Sequence, residues 1–557
     1  MFYIKIFLHV FKILQMLNLL TYLNSHPEIN LIDLYNCYPE ETHSMIKNAS
    51  SFNEILKSKQ ITGIPKSLVQ KFPSSSDLHK FITVVGTIVK NGQVLLNNVK
   101  LTYTCVKCNS KCDIKEICDN CGGTNLIKSE NFSSAMKCQK IRIQDISNPS
   151  CLSETLEVVL SDKHAGLFLP GERVLVSGIV NLKINNNKPE MDMKPTIYME
   201  ALDVQREEIE NLNEVNESLY FEFNNLDPFN KRKFLIESFK NEIYGWSFVK
   251  LGLLLAIAKG SKIEHRPTIH ILLVGDPSTG KSCFLEGCLK LVFPSVYANG
   301  IGTTDAGLTT CAVKQGKEWA LEAGALVLSD MGLCCIDEID AIKPQDCHGL
   351  LEAMEQQTLS IAKAGLVTTL NSRTSIIASA AAKYKYELLD DLISTNTLST
   401  PLLTRFDLIF GMFEPKKDLM EIIDKVINRS TVLKDKNINT WNTTVLKSYL
   451  QKVRKEEKEI NMNEREILLN YYNKKRRAAG KASEFFSIRL LEGLMRLVEA
   501  HCKLVQKESI DEEDVYSVLI LYEASLCTKK LIEVSDDVFI NKEVYEKTKE
   551  ELINKLK

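Results

Sequence analysis

Residues 271–282 read Ile271-Leu272-Leu273-Val274-Gly275-Asp276-Pro277-Ser278-Thr279-Gly280-Lys281-Ser282, and residues 333–339 read Leu333-Cys334-Cys335-Ile336-Asp337-Glu338-Ile339. The first stretch is an apolar strand that runs into Gly-x4-Gly-Lys-Ser, the spacing of a phosphate-binding loop. In such a loop successive backbone N–H groups form a concave cradle for phosphate, reinforced by the N-terminus of the helix that follows. Gly275 through Ser282 are therefore the candidate nucleotide-binding residues. Lys281 is expected to reach the β- and γ-phosphate oxygens, and the Ser282 hydroxyl to bind Mg²⁺. The second stretch is another apolar strand, ending in two acids. Asp337 is suited to sharing the metal and Glu338 to polarising an attacking water. A strand before the loop and an acidic strand end after it are hard to obtain by chance, so binding of a nucleoside triphosphate is expected.

The chain has 557 residues, enough for roughly three or four domains, and 44% of them are hydrophobic, ample for packed cores. Net charge is −2 and the pI about 6.6, so no global field draws the protein to nucleic acid. Any DNA binding must come from local lysine placement, multiplied by assembly. Sixteen cysteines, several of them in apolar strands, fit a reducing compartment better than a disulfide scaffold. The first 24 residues are apolar, but Lys5, His9, Lys12 and Gln15 interrupt every long run. They make a poor transmembrane span and carry no cleavage site. A mitochondrial presequence is conceivable, although arginine is absent. The plainer expectation is an amphipathic helix in an N-terminal helical subdomain over residues 1–78, with no membrane partner.

From Phe81 the texture changes to short alternating strands at Phe81–Val89, Val94–Leu96, Thr155–Leu160 and Arg173–Val180, as in a small β-barrel over residues 79–205. Inserted at about 103–125 is Cys105-x2-Cys108-x9-Cys118-x2-Cys121. Two Cys-x2-Cys knuckles supply four thiolates that can surround Zn²⁺ tetrahedrally, and four sulfurs leave no open position, so the zinc would be structural. Cys112 and Cys138 read as bystanders. Further on, Asn181–Glu190 reads as a polar hairpin whose tip carries Lys183 and Lys188. Residues 206–230 form an acidic linker, 231–430 the nucleotide-binding core, 431–530 a mostly helical segment and 531–557 a charged tail.

Three further places carry possible chemistry. Arg405, in Leu402-Leu403-Thr404-Arg405-Phe406-Asp407, could stabilise charge on a γ-phosphate or simply pair with Asp407. The helix pattern Phe485–Val505 puts Arg489 and Arg496 on one face beside an apolar stripe of Phe485, Ile488, Leu491, Met495 and Val498. Arg489–Glu492 and Arg496–Glu499 could be ordinary surface pairs. Lys363 lies near the turn of a hairpin at Ser360–Leu366, by itself a weak DNA signal.

Taken in order, Gly275–Ser282, Leu321–Leu328, Cys335–Glu338, Glu352–Gln357, Ala362–Gly365 and Leu402–Asp407 resemble the minichromosome maintenance (MCM) helicases over roughly residues 80–525. Glu318-Trp319, Gly332–Glu338 and Ile488–Glu492 look most like the family's ninth, repair-associated member. The resemblance implies a multidomain α/β protein: an AAA+ P-loop ATPase core with a helical lid, preceded by an OB-fold barrel that carries the zinc ribbon. It implies ATP, Mg²⁺ and Zn²⁺ as cofactors, and a hexameric ring of related subunits, among them the eighth family member. Single-stranded DNA and duplex forks are the implied substrates, and the nucleus the location. Lys281, Ser282, Asp337 and Glu338 would act in cis. Arg405 would be an arginine finger and Arg489 a second sensor, both presented to a neighbour's nucleotide. Lys363 would point into the ring channel, and Lys183 and Lys188 would face DNA from the barrel.

Two departures from the family pattern stand out. Ser278 occupies a usual glycine, tolerable if its φ is negative. Ala381 occupies the place of the first-sensor asparagine, with Ser379 the nearest polar side chain. Loss of such a positioned group could raise the barrier by roughly 2.7–4 kcal/mol, or about 10²–10³ in rate. This leaves an ATP-driven DNA helicase or translocase as the first expectation. An ATP-binding scaffold subunit with weak hydrolysis is the alternative.

Overall fold

The computed structural model describes residues 28–30, 60–62, 69–70, 72–108, 111–112, 121, 126–145, 154–183, 195–207, 223–261, 266–381, 398–413, 440–458, 462–479, 487–526 and 530–556, apart from 162, 241, 244, 316, 317 and 364. The chain forms two compact units: residues 1–210 with 311–323, and residues 211–310 with 324–557.

In the first unit, alternating apolar residues give five long strands: β1 (Phe81–Cys105), β2 (Leu126–Gln144), β3 (Thr155–Ser161), β4 (Arg173–Lys183) and β5 (Thr196–Arg206). β1 pairs with β2, β2 with β3, β3 with β5, β5 with β4, and β4 returns to β1, which closes a barrel. Among these five strands only the β3–β5 pairing is parallel. Inward side chains, among them Val84, Ile141, Val158, Val176 and Met199, fill the interior. Closure bends β4 at a register shift between Ser177 and Gly178. A Cβ on Gly178 would lie 2.2 Å from the Glu200 carbonyl oxygen, so only glycine fits that bend. Beyond the barrel β1 and β2 stay paired as far as Cys105 opposite Leu126, and so carry the first cysteine knuckle. Strand Glu318–Ala323 also joins this sheet, with Leu321 opposite Asn91 of β1.

The helical subdomain expected over residues 1–78, including the amphipathic helix, falls mostly outside the described residues. The pieces described there include strand Glu28–Asn30, paired in parallel with Gln60–Thr62, and a 3-10 turn at Ser75–Asp77. Most of the linker 206–230 also lies outside the described residues.

The second unit is built on a five-stranded parallel sheet of β6 (Ile271–Gly275), β7 (Ser295–Asn299), β8 (Leu333–Asp337), β11 (Ser375–Ala381) and β12 (Leu408–Met412). The strand order is β7-β8-β11-β6-β12. β6 is apolar throughout and β8 is apolar up to its terminal Asp337, and both are buried at every position, as strands covered on both faces by helices must be. Between β8 and β11 lie strands β9 (Thr358–Lys363) and β10 (Leu366–Asn371), which form an antiparallel hairpin. The core helices are α1 (Pro228–Ser238), α2 (Ser247–Ala258), α3 (Lys281–Leu291) and α4 (His348–Gln356). Four more follow the sheet: α5 (Thr443–Val453), α6 (Met462–Ala479), α7 (Ile488–Val505) and α8 (Glu512–Ser525).

Two expectations change here. The apolar stripe of α7 holds in part: Ile488 opens the helix and is 66% exposed, whereas Leu491, Met495 and Val498 pack with the core, joined by the buried Leu494, Leu497 and Cys502. Phe485 lies outside the described residues. The C-terminal stretch is folded rather than a loose charged tail, because α9 (Lys542–Leu556) buries Tyr545 and Leu552. Its anchor is the buried Arg232 of α1. The guanidinium lies 5.1 Å from the ring of Phe229, 5.1 Å from that of Phe539 and 4.5 Å from that of Tyr545, and donates to Ser517 Oγ at 2.5 Å.

Candidate active site

Parallel pairing brings the carboxyl ends of β6, β8 and β11 to one edge of the sheet, where ligands of open α/β sheets bind. Gly275 stands opposite Ala381, and Ile336 opposite Ala378, one residue before Asp337 and Ser379. Gly275 must be glycine, because a Cβ would meet the Met412 carbonyl oxygen at 2.0 Å. The loop then turns through Ser278 (φ 67°) and Gly280 (φ 89°) into α3. Ser278 thus does not meet the condition of a negative φ under which its departure from glycine would be tolerable. The turn demands the left-handed region, and serine occupies it at a cost of about 1–2 kcal/mol. The Thr279 hydroxyl donates to the Asp276 carbonyl at 2.9 Å. Lys281 Nζ donates to the carbonyls of Gly275 at 2.8 Å and Asp276 at 2.5 Å. Partial burial lowers the Lys281 pKa, opposed by Asp276, Asp337 and Asp340.

Asp337 ends β8 buried. Its Oδ1 accepts the Ser379 hydroxyl and its Oδ2 the Tyr297 phenol of β7, the latter at 2.8 Å. Burial pushes its carboxyl up, but hydrogen bonds from Ser379, Tyr297 and Ser282 outweigh that and hold it ionised below its ordinary value. Ser282 is thus among the groups that lower the Asp337 carboxyl, and a hydroxyl near a carboxylate is the kind of hard oxygen pair Mg²⁺ takes. Glu338 leaves the strand in a left-handed conformation (φ 55°, ψ 51°) with its side chain exposed, and its N–H donates to Ser379 Oγ at 3.0 Å. Ala381 ends β11 exposed, and its N–H points to Asp340 Oδ1 at 3.3 Å. Tyr297 and Ser379 received no role from sequence. The one hydroxyl in the buried run Ile376–Ala380 was the available signal for Ser379.

The arginines stand apart from this edge, around one acid. Glu355 near the end of α4 takes Arg405 Nη2 on Oε2 at 2.5 Å and Arg489 Nη2 on Oε1 at 2.5 Å. Arg405 Nη1 also donates to the Pro401 carbonyl at 2.7 Å. Partial burial would raise the Glu355 carboxyl, but the two guanidiniums bring it below its usual value. The pairs expected from sequence do not form. Asp407 is engaged elsewhere: it accepts the His270 N–H at 2.8 Å and faces Arg496 at 3.3 Å and Arg266 at 3.8 Å. Arg496 is buried rather than paired with Glu499, whose carboxylate accepts the Ser261 N–H at 2.7 Å. Glu355 was legible only as part of a motif.

In the first unit the sulfurs of Cys105, Cys108 and Cys121 lie within 4.8 Å of one another, Cys105 and Cys121 at 3.5 Å. Three converging thiols suit Zn²⁺. Cys118 lies outside the described residues, as does Lys188. Lys183 ends β4 half-exposed, 3.7 Å from Glu157. Lys363 ends β9, donates to the Thr310 carbonyl at 3.1 Å and lies 3.7 Å from Asp305.

Comparison with known proteins follows the same order along the chain. The family models match as an MCM OB domain over residues 73–183, an MCM P-loop domain over 223–430 and an MCM AAA-lid domain over 444–526. A "Probable DNA helicase MCM9" of Oryza sativa subsp. indica is 31% identical over 501 residues, covering 82% of this chain and 73% of the relative. One of the same name in Arabidopsis thaliana is 31% identical over 493 residues, 80% of this chain and 76% of its own. A "Probable DNA helicase MCM8" of the same rice is 32% identical over 408 residues, 64% of this chain and 51% of the relative.

Proposed function

The chain belongs to the MCM family, with relatives that bear the MCM9 name among those it resembles, and from that premise we propose that it is an ATP-hydrolysing DNA helicase or translocase subunit. It works in a hexameric ring on single-stranded DNA and duplex forks, in repair by homologous recombination or in replication. The observation that carries this reading is the single sheet edge on which the loop Gly275–Ser282, Asp337 and Glu338 converge.

ATP binds in that loop. Its phosphates meet the backbone N–H groups, and Lys281 gives up its carbonyl partners for the β- and γ-phosphate oxygens. Mg²⁺, held by Ser282 and Asp337, neutralises phosphate charge when bound. Glu338, exposed past the strand end, accepts a proton from the attacking water. Arg405 and Arg489 of a neighbouring subunit face the γ-phosphate and offset the charge that develops as its bond breaks. Zn²⁺ held by Cys105, Cys108, Cys118 and Cys121 serves as a structural cross-link of the ribbon.

Six copies of Lys363 in a ring concentrate positive charge on a DNA backbone that a chain of net charge −2 does not attract as a whole. Lys183 and Lys188 of the barrel add a second set of positive charges for DNA. A related subunit resembling MCM8 completes the ring, and the work on DNA places the protein in the nucleus. The scaffold alternative is not favoured: the relatives carry helicase names. The test is phosphate release by wild type and Lys281→Ala, with partner subunit and single-stranded DNA present. A fall of about 10²–10³ in the variant is expected. Equal rates would show that the chain is not a motor.

A further inference from the structure

We propose that Ser379 is the positioning residue of the hydrolytic site, one hydroxyl aligning both acids of β8; this rests on the ATPase reading above. Ser379 sits on β11, between β8 and β6, and is 1% exposed. Its hydroxyl donates to Asp337 Oδ1 and accepts the Glu338 N–H at 3.0 Å. Both capacities of that buried group are used, and both go to consecutive residues of the acidic strand end.

Each bond has a separate consequence. Asp337 Oδ1 is fixed by Ser379 from β11 and Oδ2 by Tyr297 from β7, so the carboxylate is aimed from both flanking strands. Outer partners of this sort set the orientation of a metal ligand. The second bond acts on the backbone. Glu338 is in the left-handed region, which costs about 1–2 kcal/mol for a residue with a side chain and needs a partner to hold it. The Ser379 oxygen takes the N–H of that very residue and so holds the turn that projects the Glu338 carboxylate beyond the sheet.

The next residue on the same strand face is position 381, since side chains alternate along a strand. There the side chain is a methyl group, exposed at the edge. The polar group of this strand therefore stands one step deeper than its end. From there it cannot touch a nucleotide, but it can steer the two residues that do. A merely structural hydroxyl would satisfy itself and leave the acids where they are. The two roles separate by experiment.

The experiment measures ATP turnover of the full chain with its partner subunit and single-stranded DNA, as a function of ATP and of Mg²⁺. The proteins are wild type, Ser379→Ala, Ser379→Cys, Ser379→Thr and, as the background, Lys281→Ala. The cysteine variant is close in volume with weak hydrogen bonding, so it carries the test if alanine disturbs folding. Ser379→Ala and Ser379→Cys are expected to lower kcat about 10–100-fold and raise the Mg²⁺ concentration for half-maximal rate, with KM for ATP little changed. Ser379→Thr, which keeps the hydroxyl, restores most of the rate. Wild-type kcat and Mg²⁺ dependence in both the alanine and cysteine variants would overturn the assignment. So would a loss seen only in KM for ATP. A wild type no faster than Lys281→Ala would instead defeat the ATPase reading, and this assignment with it.

Discussion

Gly275 and Asp337 end two parallel strands and Ser379 stands two residues before the end of the strand between them, each held by sheet pairing and by at least one buried contact. Arg405 and Arg489 stand just after the short helix Thr400–Leu403 and on the first turn of α7, tied to one partly exposed acid, Glu355. The nucleotide side of the site is thus fixed by the fold, whereas the arginine side is fixed by a replaceable counter-ion. That division suits groups with different tasks. The loop must present a ready cradle to every incoming nucleotide. On the proposed reading the arginines exchange one anion for another, Glu355 for a neighbour's phosphate.

Breaking the arginine side outright should have the largest effect. Arg405→Ala is expected to bind ATP as wild type does, yet lower turnover by about 10³–10⁵ where it faces an active loop in an assembled ring. Mixed-ring assays with a Lys281→Ala partner check this, since an equal loss in monomeric protein would contradict action across subunits.

The second test compares the two acids that hold arginines. Asp407 is 4% exposed against Arg496 at 3%, whereas Glu355 is 42% exposed. Asp407→Ala leaves buried guanidiniums without a counter-charge and is expected to cost about 3–5 kcal/mol in denaturant unfolding. Glu355→Gln, by contrast, is expected to cost at most about 1 kcal/mol, as exposed pairs do. It should instead weaken the cis restraint and raise the rate of ring turnover a few-fold. Similar unfolding costs for the two variants would erase the distinction drawn here.

The smallest effect is that of pH. Glu355 titrates below its ordinary 4.5 in the folded chain, so its contribution is full above that value and lost as pH falls through the lower one. Melting curves of wild type and Glu355→Gln should therefore differ slightly at neutral pH and converge below pH 4.5. A gap that widened on acidification would reverse the sign.

What the sequence disclosed and what it withheld divide along the same line. The loop, the acidic strand end and the cysteine knuckles are runs of adjacent residues, and their meaning survives without a fold. The partners of Arg405, Arg489 and Arg496 come from other elements, and no spacing reveals them. Helical spacing put Arg489 and Arg496 on one face of α7, yet only the close approach of Gly493 to Asp407, where a Cβ would lie 2.9 Å from Oδ1, explains why one is buried and the other is not. Ser379 was visible as an isolated hydroxyl. Its two bonds depend on the register between β8 and β11, which sequence does not specify. The last helix read as charged because its solvent face outnumbers the few anchors, Tyr545 and Leu552, that dock it.

One carboxylate described above has a mechanical meaning. Asp407 grips Arg496 of α7 with one oxygen and, with the other, the His270 amide at the foot of β6, the strand whose far end opens into the nucleotide loop. A tug on the lid helix is thereby delivered to the root of that strand through buried bonds that water does not reach. On the proposed reading, force applied to the lid helix reaches the loop that grips the triphosphate, and relaxation of that grip passes back the same way.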